Sequence, residues 1–414
     1  MLLNRRDFLK RGVSYLGIGA LMPSIFDKAL AALNEQNLRG APADDGRILV
    51  VVQMAGGNDG LNTVIPIADT QYYSSRPATA IPSAQALPLN STTGLHPGMT
   101  KMKELWDKGI VAIVEGVGYP NPNFSHFVSM RIWQKADPTE QVPQGWLGRY
   151  FEKINGNQET PFLGLAIGNL LPLSLLTPAV TIPSLQNLNS YRFQGDPQAS
   201  FLTAQRLETL SSLYASWQIG DTYRPQLNGS FKAAMRSSDA LQKAHQSYKP
   251  AVTYPNNALA SSLLIVAEAI AANLGVKVCH VTIGGFDTHA DQLAGQAKQL
   301  GVLSESLHAF YTDLQAHNLD KKVAIMTWSE FGRRVKENGS DGTDHGSAGP
   351  LFFLGTPVKG GLYGKRPGLD NLDNGNLRYT VDFRSVYATS LRGWLGAPDQ
   401  ELLGRAYEPL PLWR

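Results

Sequence analysis

The sequence predicts an α/β domain with a mainly parallel β-sheet sandwiched by helices. Two observations lead there. Apolar runs of strand length recur along the chain and end at glycine-rich polar loops, the form taken by strands buried on both faces of a sheet. Longer stretches with helical periodicity lie between those runs, and strands alternating with helices build parallel sheets.

The chain opens Met1-Leu2-Leu3-Asn4-Arg5-Arg6-Asp7-Phe8-Leu9-Lys10-Arg11. A basic start, an apolar stretch from Gly12 to Phe26 broken by Pro23, and the small-x-small triplet Ala29-Leu30-Ala31 have the order of an export signal. Arg5-Arg6-x-Phe8-Leu9-Lys10 resembles the twin-arginine consensus. The plainer alternative is a basic amphipathic helix. We therefore expect residues 1–31 to be a signal peptide read by the twin-arginine translocase, and the mature protein to be periplasmic or extracellular. The apolar stretch is too short for a permanent anchor, and no later segment is long and apolar enough to span a bilayer.

The signal also alters the charge reading. Without residues 1–31 the basic count falls from 37 to 32 and the acidic count from 34 to 32. The remaining chain is formally neutral and shows no basic stripe, which argues against a nucleic-acid partner. The single cysteine, Cys279, excludes an intramolecular disulfide framework. It lies in an apolar run and reads as a buried thiol, with a nucleophile as the remoter alternative.

Residues 32–45 read as a linker, and residues 46–414 as the folded domain. The first strand is Arg47 to Met54, followed by Ala55-Gly56-Gly57-Asn58-Asp59-Gly60. Further strands are expected at Ile110–Gly118, Phe162–Ile167, Val276–Ile283, Lys322–Trp328 and Pro350–Gly355. Helices are expected over about 98–108, 198–218, 228–247, 257–274, 290–317 and 382–395, the last capped by Asp382. The stretch 185–250 is helical, rich in Gln, Ser and Lys, and reads as a helical insertion.

In open α/β sheets ligands bind beyond the carboxyl ends of the strands, and four predicted strands end there in polar residues. After the first comes Asp59, either a carboxylate for a ligand or a helix N-cap. After the second comes Asn123-Phe124-Ser125-His126-Phe127, with Ser125 at a helix start. After the Val276–Ile283 strand comes Gly284-Gly285-Phe286-Asp287-Thr288-His289, an Asp and a His that can share one metal ion. The next strand ends in Ser329-Glu330-Phe331-Gly332-Arg333-Arg334, and the loop beyond it holds Asp344-His345-Gly346. Of eight histidines, His126, His289 and His345 fall in these loops. His245, His308 and His317 fall on helices, His280 sits within a strand as a structural residue, and His96 has no evident place.

The motifs at Met54–Asn62, Asn123–Phe127, Gly145–Arg149, Gly285–His289, Ser329–Arg333 and Asp344–Gly346 resemble, in order and over nearly the whole mature chain, the domain-of-unknown-function family 1501. That family is similar in turn to the alkaline phosphatase-like superfamily of sulfatases, phosphodiesterases and phosphoglycerate mutases. The resemblance implies a site for one or two divalent metal ions (zinc, manganese, calcium or magnesium). It implies metal ligands at Asp59, Ser125, Asp287, His289, Glu330 and His345, with Ser125 as nucleophile. Arg333 is expected to pair with an anionic ester substrate, unless it forms a structural salt bridge. This chain departs from the superfamily in two ways. Asp287 and His289 are separated only by Thr288, and Glu330-Phe331 replaces an Asp-His pair, so that His126 or Asp344 would have to compensate. The candidate catalytic residues are Ser125, Arg333 and His126.

The function expected from these residues is an exported, metal-dependent hydrolase of phosphate or sulfate esters. The alternative is a non-catalytic binding or assembly protein on the same fold. A serine hydrolase triad is the weakest reading, because Ser125 lies between Phe124 and His126 and not in a Gly-x-Ser-x-Gly elbow.

Overall fold

The computed structural model describes residues 46–155, 162–192, 203–216 and 224–414. The expected signal peptide and linker lie outside these residues, as do the ends of the helix expected over 198–218. The strands of the main sheet are β1 (Ile48–Met54), β2 (Val111–Gly118), β3 (Gly164–Ile167), β4 (Ser184–Leu185), β5 (Val278–Ile283), β6 (Val323–Trp328), β7 (Gly349–Leu354), β8 (Gly361–Gly364) and β9 (Val381–Asp382). The principal helices are α1 (Thr100–Asp107), α2 (His126–Lys135), α3 (Trp146–Asn155), α4 (Thr203–Ser216), α5 (Arg224–Ser247), α6 (Ala258–Ala271), α7 (Gln292–Ala316) and α8 (Phe383–Ala388).

The nine strands form one sheet in the order β8-β2-β7-β6-β1-β5-β3-β4, with β9 continuing the β8 edge along β2. All pairings are parallel except those of β7, which runs antiparallel to both β2 and β6. The fold is therefore the mainly parallel α/β sheet that the sequence predicts. The reversed strand follows from its connection: the chain leaves β6, loops across the carboxyl edge, and re-enters the sheet from that edge.

β1 shows why the apolar runs are continuous. Ile48, Val50, Val52 and Met54 enter one buried cluster with Met102 and Leu105 of α1, Leu263 and Val266 of α6, and Leu303, Leu307 and Phe310 of α7. Leu49 and Val51 enter a second cluster on the opposite face, with Trp133 of α2, Trp146 and Phe151 of α3, and Phe383 and Tyr387 of α8. A strand alternates its side chains between faces, so a sheet covered on both faces needs an apolar residue at every position. Each such Val, Leu or Ile contributes roughly 1.5–3 kcal/mol by burial.

α3 is absent from the sequence-based expectation, which has α2 only as a helix start at Ser125. Both are short, and only one face of each is buried. The last expected helix begins as predicted, with the Asp382 carboxylate accepting from the Arg384 N–H. It then widens into a π-helical turn over Thr389–Trp394. The stretch 185–250 carries α4 and α5, and β4 at its start extends the sheet edge. Cys279 is fully buried in β5, and burial raises its thiol well above the usual range, so it is an inert core residue. No described helix is long and apolar enough to cross a membrane.

Candidate metal centre

β1, β2, β5 and β6 all end at the same edge of the sheet, and β7 begins there. The loops after these strands are drawn together by glycine. Gly56 has φ +122° and lies so near the next loop that an added Cβ would meet the Asp287 nitrogen at 2.4 Å. Gly57 has φ +75°, and the Phe331 ring occupies the place of its missing Cβ. These conformations and approaches exclude side chains other than hydrogen.

Asp287 is the hub of the site. Its Oδ1 lies 3.1 Å from His289 Nε2 and 3.2 Å from His345 Nε2, and it accepts from Arg333 Nη2 at 2.7 Å. Its Oδ2 lies 3.4 Å from His126 Nε2. Burial works to raise the Asp287 pKa, but the Arg333 hydrogen bond and charge lead the effects that outweigh it and hold the group at about 2. Ligand atoms of His126, Asp287 and His345 all lie within 4.8 Å of one another.

The Nδ1 contacts of His126 and His345 place a hydrogen on each of those nitrogens. His345 Nδ1 is 2.7 Å from the Phe124 carbonyl, which can only accept, so this nitrogen carries the hydrogen. His126 Nδ1 is 2.8 Å from Glu330 Oε1, an oxygen that also accepts the Gly56 N–H at 2.8 Å. His289 Nδ1 faces Asp344 Oδ1 at 3.5 Å. With hydrogens on all three Nδ1 atoms, the neutral rings direct their Nε2 lone pairs toward Asp287. His289 and His345 then present lone pairs to each other at 2.9 Å, and the buried His126 Nε2 has no hydrogen-bond partner. Lone pairs converging on a carboxylate repel unless a cation lies among them. Three imidazoles and a carboxylate are a donor set suited to zinc and related divalent ions, and the Nδ1 partners are the outer contacts that metal-bound histidines make.

Burial lowers the His345 pKa against the pull of Phe124 O and Asp287, favouring its neutral ring. The Glu330 hydrogen bond raises that of His126, opposed by burial. The Phe331 ring backs both, with centroids 4.9 Å from His126 and 4.5 Å from His345.

The other expected residues fall around this centre in different ways. Asp59 is buried and caps the short helix Gly60–Thr63 by accepting from Leu61 and Asn62 N–H. Its carboxylate also pairs with the buried Arg76 and accepts from Gln292 Nε2. This is the helix-cap alternative, and it turns Asp59 into the protein. Glu330 is fully buried, with Oε1 engaged by Gly56 and His126. Arg333, expected to meet substrate, is buried with its donors on Gly56 O, Gly57 O, Phe286 O, Thr343 O and Asp287. It is thus the structural ion pair, and ties three loops together. Ser125 is exposed at the N-cap of α2, and its side chain makes no cap hydrogen bond. It stands between Phe124, whose carbonyl holds His345, and His126.

Sequence reasoning missed Arg76 and Gln292, which lie 17 and 233 residues from Asp59. No local pattern marks them. Asp344, expected from the sequence as a possible compensating residue, faces the outer nitrogen of His289.

Fold and centre together define a three-layer α/β protein with an Asp/His cluster whose ligand atoms are spaced as those of a metal site are. The chain belongs to the family described as "Protein of unknown function (DUF1501)", which it matches over residues 109–402. No curated protein matches it in sequence. Among solved structures it is similar to Ps i-CgsB in complex with k-i-k-neocarrahexaose, at 11% identity and TM-score 0.37, covering 87% of this chain and 73% of that one. It is similar to the PsFucS1 sulfatase from Pseudoalteromonas sp., at 13% identity and TM-score 0.36, covering 95% and 74%. It is also similar to a protein in the alkaline phosphatase superfamily from Vibrio parahaemolyticus, at 7% identity and TM-score 0.31, covering 77% and 62%. These likenesses concern the fold.

Proposed function

We propose that this protein is an exported, metal-dependent hydrolase of phosphate or sulfate esters. The observation that carries the reading is the convergence of three imidazole Nε2 atoms on the Asp287 carboxylate. His126, His289, His345 and Asp287 would hold the ion. A divalent ion in such a site supplies Lewis-acid stabilisation of charge on the ester oxygens.

Ser125 supplies the nucleophile in this reading. Its hydroxyl is exposed at the start of the ten-residue helix α2, where free N–H groups favour anionic groups. The Ser125 Oγ bond to phosphorus or sulfur forms as the ester bond to the alcohol oxygen breaks, and the alcohol leaves with the serine proton. Water then cleaves the seryl ester and returns a proton to Oγ. Arg333 contributes by fixing Asp287 and the loop carbonyls around it.

The test is hydrolysis of aryl phosphate, phosphodiester and aryl sulfate by the mature protein, with its bound metal measured in parallel. Turnover that Ser125→Ala and Asp287→Ala both abolish supports the assignment. Turnover unchanged in both variants removes it, and bound metal without turnover favours the binding protein. Export is tested separately. Arg5→Lys with Arg6→Lys should retain the protein in the cytoplasm if the twin-arginine translocase is its partner.

A further inference from the structure

Glu330 occupies the place where the family resemblance implies a metal ligand, yet its surroundings are those of a different role. Its Oε1 receives the His126 Nδ1 hydrogen at 2.8 Å and the Gly56 N–H at 2.8 Å. Its Oε2 lies 3.3 Å from the Ser329 hydroxyl. Its own carbonyl accepts from the Ser129 hydroxyl. His126 and Ser129 are three residues apart on α2 and so share one face of that helix. Both grip Glu330, one by its side chain and one by its backbone. The carboxylate is fully buried, and its oxygens face protein donors.

We propose that Glu330 is a positioning residue and not a metal ligand. It fixes the Nδ1–H tautomer of His126, aims the Nε2 lone pair at the Asp287 centre, and through the same contacts seats the start of α2, where Ser125 lies. This rests on the metal-dependent reading for its purpose, but the Glu330–His126 pairing is testable without metal.

In the metal-free wild-type protein, nitrogen NMR of the imidazoles should show His126 with its hydrogen on Nδ1. In Glu330→Gln the amide oxygen can still accept from Gly56, while the charge opposite His126 is gone. That variant should bind the same number of Zn²⁺ ions as wild type, with affinity lowered about 10–100-fold, the usual effect of an outer partner. The loss should vanish when Glu330→Gln is made in a His126→Ala background, because coupled residues are not additive. A merely structural role would leave the loss the same size in both backgrounds.

A neutral His126 ring with its hydrogen on Nε2 and none on Nδ1 in the wild-type protein overturns the inference, as does a lower ion count in Glu330→Gln or an undiminished loss in the His126→Ala background. If the wild-type protein binds no Zn²⁺, the metal-dependent reading fails and the nitrogen spectrum still decides the pairing. That spectrum needs no variant, so it holds even where Glu330→Gln does not fold.

Discussion

His289 and His345 meet Nε2 to Nε2 at 2.9 Å, although 56 residues separate them in the chain. Each ring is turned by an acceptor on its far side, Asp344 for one and the Phe124 carbonyl for the other. Two nitrogens held that close need a proton or a cation between them. His345→Ala should therefore weaken Zn²⁺ binding by more than the about 10–100-fold that an outer partner costs. Calorimetric titration of the metal-free protein checks this; equal affinity in the variant would remove His345 from the ligand set.

Gly56 brings the first loop against the third. Alanine there must adopt φ +122° and place its Cβ 2.4 Å from the Asp287 nitrogen. Backbone strain of this kind costs about 1–3 kcal/mol, and the collision adds to it. Gly56→Ala should lower the thermal midpoint and displace Asp287, weakening metal binding in the same variant. Loss of stability without loss of metal binding would mean that the loop shifts away from Asp287.

The Arg76–Asp59 pair is buried on both sides. Arg76 also donates to Asn62 Oδ1 and to the Val335 and Arg334 carbonyls. Removing the cation leaves the carboxylate buried without its charge partner, and breaking such a pair costs about 3–5 kcal/mol. Arg76→Ala should lose stability of this order in urea unfolding. The double variant Arg76→Met with Asp59→Asn should recover part of it.

His280 and His96 are almost fully buried, and burial lowers each pKa from 6.5 to about 4, with the Asp59 charge opposing the shift at His96. The unfolded chain binds protons at these groups below pH 6.5, while the folded protein does not until about pH 4. The stability that these two groups contribute is thus complete above pH 6.5 and is lost as pH falls through that window. The decline reaches about 2–3 kcal/mol per group near pH 4. Urea midpoints measured from pH 7 to 4.5 should fall accordingly, and His280→Gln should show a shallower decline. Identical slopes would mean that His280 does not titrate in this window.

The amino-acid sequence alone carries the longer strands, but not the short edge strands β4, β8 and β9. β1, β2, β5, β6 and β7 are legible within a few residues because a sheet covered on both faces demands uninterrupted apolar runs, and such runs need no partner to be recognised. It also gathered Asp59, Ser125, Asp287, His289, Glu330 and His345 at one edge, since parallel strands deliver their following loops to the same side. What each group does there follows from contacts that form on folding. Asp59, Glu330 and Asp287 are all carboxylates after strands, but Arg76 and Gln292 turn the first inward, and Gly56 and His126 engage the second. Asp287 is left at the centre of three rings. Arg333, expected to meet substrate, is enclosed by carbonyls from three loops. A carboxylate's role depends on which donors approach its oxygens, and these donors come from segments up to 274 residues away, beyond the reach of any local pattern.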